Sequence, residues 1–89
     1  MIKAKTTIVN KLGLHARAAT KFATTANQFS SSITVQCNGK TIDGKSVMSL
    51  MLLAAAKGTD LQVTVEGSDH QEALQALLDL IADRFGEES

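Results

Sequence analysis

Eighty-nine residues, with nine Lys and Arg balanced by nine Asp and Glu and 44% apolar side chains, describe one small domain over 1–89 with no net charge to hold a nucleic acid by counterion release. Three Phe with no Trp or Tyr leave no stacking platform for bases, and a lone cysteine excludes an internal disulfide and a multi-thiolate metal site. No apolar run follows the N-terminal lysines, and the longest continuous apolar stretch, Leu50 to Ala56, falls far short of the roughly 20 residues that span a bilayer, so the chain reads as cytoplasmic with no membrane insertion.

In chain order, Ile2 to Val9 alternates as a strand, with Ile2, Ala4, Thr6 and Ile8 on one face and Lys3, Lys5 and Thr7 on the other. Asn10 to Leu14 is a loop in which Gly13 is free to take positive φ. Ala19, Phe22, Ala23 and Ala26 then recur at helical spacing, which predicts an amphipathic helix from Ala16 to Asn27. Ile33, Val35 and Cys37 alternate with polar residues up to Asn38-Gly39, a two-residue hairpin signal, so a strand over 40–43 pairs back. Cys37 reads as a small buried hydrophobe.

Ser46 is a good N-cap for a second helix, Val47 to Ala56, closed by Lys57-Gly58. Leu61, Val63 and Val65 mark a further strand ending at Gly67. Ser68 to Gln71 matches a capping box for a last helix whose buried face carries Leu74, Leu77, Leu78, Ile81 and Phe85. The order is βαββαβα, an α+β fold in which helices cover one face of a mainly antiparallel four-stranded sheet. The polar residues of the strands suit a second face left to water.

Of the two histidines, His15 follows a glycine-containing loop and sits just before the first helix, where backbone N–H groups lack partners and the dipole is positive. Arg17 adds a guanidinium that matches phosphate oxygens. An imidazole there can act as a nucleophile toward phosphorus, and its positive neighbours would stabilise a phosphoryl group once attached. The competing reading makes His15 a mediocre N-cap and Arg17 a solvated charge. His70, beside Asp69 and Glu72, has no second histidine or thiolate near it and reads as an ordinary surface residue. No metal or cofactor is called for. The second helix is apolar nearly all round. If Leu50, Leu53 and Ala54 pack inward, Val47, Met48 and Met51 form an exposed patch suited to meeting partners, the alternative being a helix wedged deeper into the core.

Together, Lys11-Leu12-Gly13-Leu14-His15-Ala16-Arg17, Gly44-Lys45-Ser46-Val47-Met48 and Ala56-Lys57-Gly58 resemble the HPr family, the histidine-containing phosphocarriers of the phosphotransferase system, over nearly the whole chain. The resemblance implies an open-faced β-sandwich with sheet order 1-4-2-3 and three helices on one face. It also implies that His15 accepts phosphate on Nδ1 from phosphorylated enzyme I and passes it to enzyme IIA domains, with Arg17 and the helix start at Ala16, Arg17 and Ala18 holding the phosphoryl oxygens. Partner docking falls to Val47, Met48, Met51 and Thr20, and Ser46 matches the serine that an HPr kinase phosphorylates in some bacteria. Such a carrier is a monomer and not a stand-alone enzyme. Two departures are present: Ala18 stands where the family usually has Pro, and Ser49 where kinase-regulated members commonly have Gly. Ala fits a first helical turn and restores an N–H, so the helix is expected to start normally. Sugar uptake and the nitrogen-related branch share this chemistry. From other classes, a ferredoxin-like ligand-binding module would use the Gly13 loop for a metabolite, and an acylphosphatase-like hydrolase would need a glycine-rich, arginine-bearing cradle that the first loop lacks.

Overall fold

A computed structural model describes residues 1–89. Four strands, β1 (Ile2–Thr7), β2 (Ser32–Cys37), β3 (Lys40–Asp43) and β4 (Asp60–Glu66), and three helices, α1 (Ala16–Ala26), α2 (Val47–Leu52) and α3 (His70–Ala82), follow the expected order. The sheet runs β1-β4-β2-β3 and every neighbouring pair is antiparallel. Pairing of Val35 with Val63, and of Val63 with Ala4, sets the apolar alternation of three strands in one register. A one-residue slip would turn that whole row to water. Ile33, Val35, Cys37, Leu61, Val63 and Val65 are all buried against the helices, while Lys3, Lys5, Thr34 and Gln36 are exposed on the far face.

The hairpin between β2 and β3 turns on Asn38 and Gly39, both at positive φ (51° and 80°), as the Asn-Gly pair requires. α1 ends at Ala26 with Asn27 as its C-cap. Its buried residues are Ala18, Ala19, Phe22, Ala23 and Ala26, and Ala18 lies in the first turn, which forms as expected.

Four expectations are corrected. α2 stops at Leu52, not Ala56: Leu53 caps it and Ala54 lies exposed at φ 52°, so Ala54 does not pack inward and Ala55 is buried instead. The reason is a long-range hydrogen bond, because the Leu14 N–H donates to the Ala55 carbonyl at 2.8 Å, which draws this segment out of the helix and under the loop preceding α1. The capping box at Ser68 does not form. Asp69 is the N-cap of α3, but its carboxylate accepts from the N–H groups of Ser30 and Ser31 (2.9 Å each) and from both their hydroxyls, tying α3 to the start of β2. Phe85 is buried but lies beyond the helix: α3 ends at Ala82, and Arg84, Phe85 and Gly86 follow with φ of 57°, 54° and 78°. β1 likewise ends at Thr7, although Ile8 continues to exchange backbone bonds with the segment before β4, donating to Thr59 and accepting from Gly58.

Candidate functional site

His15 is the N-cap residue of α1, with extended backbone (φ −78°, ψ 178°) and a carbonyl that accepts the Ala19 N–H at 2.8 Å. Its ring makes no capping bond. Ala16, Arg17 and Ala18 donate no hydrogen bond within the protein through their N–H groups, so three donors and the positive end of an 11-residue helix lie beside the imidazole. Because position 18 is alanine, the third of these donors exists at all.

The loop that places His15 is fixed from below. Gly13 has φ 69°, and a Cβ there would overlap the backbone of Ala55 and Ala56. Only glycine satisfies both the left-handed conformation and that close approach. Leu14 is buried, so it anchors the chain immediately before the partly exposed His15.

The imidazole is half-buried, and its Nε2 lies 2.5 Å from Glu87 Oε2. The other carboxylate oxygen of Glu87 accepts from Asn10 Nδ2 at 3.0 Å, and the same nitrogen donates to the Gly13 carbonyl at 2.8 Å. Asn10 is fully buried. Hydrogen bonding from His15, and secondarily from Asn10, holds the Glu87 carboxyl below the usual carboxylate range. An ionised carboxylate only accepts, so the shared proton belongs to His15 Nε2. In the neutral ring Nδ1 then carries the free lone pair, and no protein group binds it.

Arg17 is exposed, engages no carboxylate, and lines the same shallow depression as Leu12, His15, Ala16, Glu87, Glu88 and Ser89. The structure thus brings together His15, Arg17 and the amides of Ala16 to Ala18, and adds Glu87 and Asn10, which sequence reasoning did not find. Thr20 is exposed one turn along α1 and donates its hydroxyl to the Ala16 carbonyl at 2.8 Å.

Ser46 caps α2 as expected, its Oγ accepting the Ser49 N–H at 3.2 Å. Met48 is 73% exposed and Met51 45%, while Leu50 and Leu53 are buried, so the apolar surplus of α2 faces outward. Leu52, 69% exposed, belongs to the same concave apolar surface as Val47, Met48 and Met51. Its place there follows from the early end of the helix. His70 lies far along the chain in the first turn of α3, with Nδ1 2.8 Å from the Gly67 carbonyl oxygen.

Residues 2–83 match the family described as "PTS HPr component phosphorylation site". The chain is 53% identical to the phosphocarrier protein HPr of Neisseria meningitidis and 49% identical to that of Cupriavidus necator, each over 87 residues and 98% of both chains. Its structure superposes on the crystal structure of an HPr from Thermoanaerobacter tengcongensis with a TM-score of 0.96, at 44% identity over the full length of both chains. No helix is long and apolar enough to cross a membrane. With sequence, sheet order and helix placement in agreement over nearly every residue, the chain belongs to the HPr family of the phosphotransferase system.

Proposed function

We propose that the chain carries a phosphoryl group on His15, taken from phosphorylated enzyme I and delivered to enzyme IIA domains. The observation that carries this reading is the unengaged Nδ1 of His15 beside three unbonded amides and an unpaired guanidinium. In the transfer Nδ1 attacks phosphorus, a new N–P bond forms, and the donor's bond to phosphorus breaks with its electron pair returning to the donor. The amides of Ala16, Arg17 and Ala18 and the Arg17 side chain then face the phosphoryl oxygens, which is mainly a matter of positioning and charge stabilisation. Delivery reverses these steps on a second protein.

Val47, Met48 and Met51, with Thr20 on the His15 side, form the docking surface, and Leu52 extends it. The carrier acts as a monomer through brief encounters, burying less than about 1,200 Å². Ser46 is a regulatory phosphorylation site for an HPr kinase on family resemblance, in addition to its capping role.

Incubation with phosphoenolpyruvate and enzyme I tests the reading. Intact mass measurement is expected to show the gain of one acid-labile phosphoryl group, retained in His70→Ala and lost in His15→Ala. Phosphorylation of His15→Ala with none on His70→Ala would move the site.

A further inference from the structure

Past α3 the backbone takes three consecutive residues, Arg84 to Gly86, through the left-handed region that only glycine adopts freely. Something must hold so unusual a turn. Phe85 is fully buried, its carbonyl accepts from Lys21 Nζ at 2.6 Å, and farther on the Ser89 carbonyl accepts the Lys11 N–H at 3.0 Å. The tail is therefore pinned on both sides of Glu87, and buried Asn10 orients the Glu87 carboxylate toward the ring.

We propose that Glu87 is a positioning residue for phosphoryl transfer: it holds the proton of His15 on Nε2, reserves Nδ1 for attack, and stabilises the cationic ring that the attack creates. This rests on the phosphocarrier reading above. When the Nδ1 lone pair forms the N–P bond, the neutral ring becomes an Nε2-protonated imidazolium, and the carboxylate 2.5 Å from Nε2 balances that charge. No proton has to leave. When the N–P bond breaks toward the next acceptor, its electron pair returns to Nδ1 and the ring leaves neutral, still protonated on Nε2. The cycle is thus proton-neutral at His15, with Glu87 working on the side of the ring opposite the phosphorus. The other charged groups around this depression are Arg17 and Glu88, with Lys21 acting on Glu87 from behind.

Glu87→Gln removes the charge, keeps the size, and lies outside the core, so folding is expected to survive. Nitrogen-15 NMR of the ring in the full chain is read before and after phosphorylation, together with the rate of transfer from phospho-enzyme I. In the parent protein the Nε2 proton is expected to exchange slowly before phosphorylation and to persist into mildly alkaline solution afterwards. In Glu87→Gln it exchanges faster, is lost about one pH unit lower in the phosphorylated ring, and transfer slows about tenfold. Unchanged ring protonation with an unchanged rate overturns the proposal, and so does a faster rate, which would make the tail a brake. If the parent protein took no phosphate the carrier reading would fall, while the ring-proton comparison in the unphosphorylated protein would still decide whether Glu87 positions His15.

Discussion

The Arg17 side chain makes no hydrogen bond or ion pair. With no carboxylate to hold it and an exposed side chain, its contribution to folding is small, so its charge is available to an incoming anion. Arg17→Glu is therefore expected to leave the circular dichroism spectrum and the unfolding midpoint within about 0.5 kcal/mol of the parent, while slowing phosphoryl transfer to His15 by a factor of about 100 or more, the cost of losing a charge-assisted contact and gaining a repulsive one. Rapid-quench measurement of transfer from enzyme I checks the second part. Equal rates would make Arg17 a bystander.

At the scale of elements, α2 divides its apolar residues between two jobs. Leu50 and Leu53 face the core while Met48, Met51 and Leu52 face water. Replacing Met48 and Met51 by Ser is expected to change folding stability by less than about 1 kcal/mol and to weaken binding to enzyme I about tenfold or more, as read by urea denaturation and calorimetric titration. A loss of several kcal/mol in stability would place them in the core instead. The elements themselves were legible wherever a residue's fate depends on near neighbours: alternation placed Ile33, Val35, Cys37, Leu61, Val63 and Val65, the Asn38-Gly39 pair placed the hairpin, and helical spacing placed the buried face of α1. Three of the misses involve a partner far along the chain. The end of α2 depends on Leu14 reaching Ala55, the Asp69 carboxylate is taken by Ser30 and Ser31 rather than by its own helix, and Glu87 meets His15 across 72 positions. Among the site residues, His15 and Arg17 were legible because they sit at a helix start, whereas the only local hint of Glu87 was Gly86, one of three residues that swing the tail back.

Taken whole, the molecule joins its helical layer to its sheet through a few polar ties, and the Asp69 cluster is an acid-sensitive one. Bonds from Ser31 first, then from Ser30, lower the Asp69 pKa from 3.8 to about 2. A carboxyl whose folded pKa lies below its unfolded value stabilises the fold fully above the unfolded value and loses that contribution as pH falls toward the folded one. Denaturation midpoints are thus expected to decline between about pH 4 and pH 2, and Asp69→Asn to show a lower midpoint at neutral pH with a shallower acid decline. A parallel acid profile in both proteins would remove Asp69 from the account. Stability is also unevenly spread. α2 has six residues, its first and last turns lean on a single serine cap and a left-handed alanine, and only Leu50 among its side chains is buried. An element with so few buried contacts opens at a free-energy cost well below that of global unfolding. The exposed surface of Val47, Met48, Met51 and Leu52 thus lies on a short helix with one buried side chain, whereas His15 starts an 11-residue helix with five, so amide hydrogen exchange is expected to run faster in α2 than in α1, leaving the geometry of the imidazole undisturbed while α2 opens.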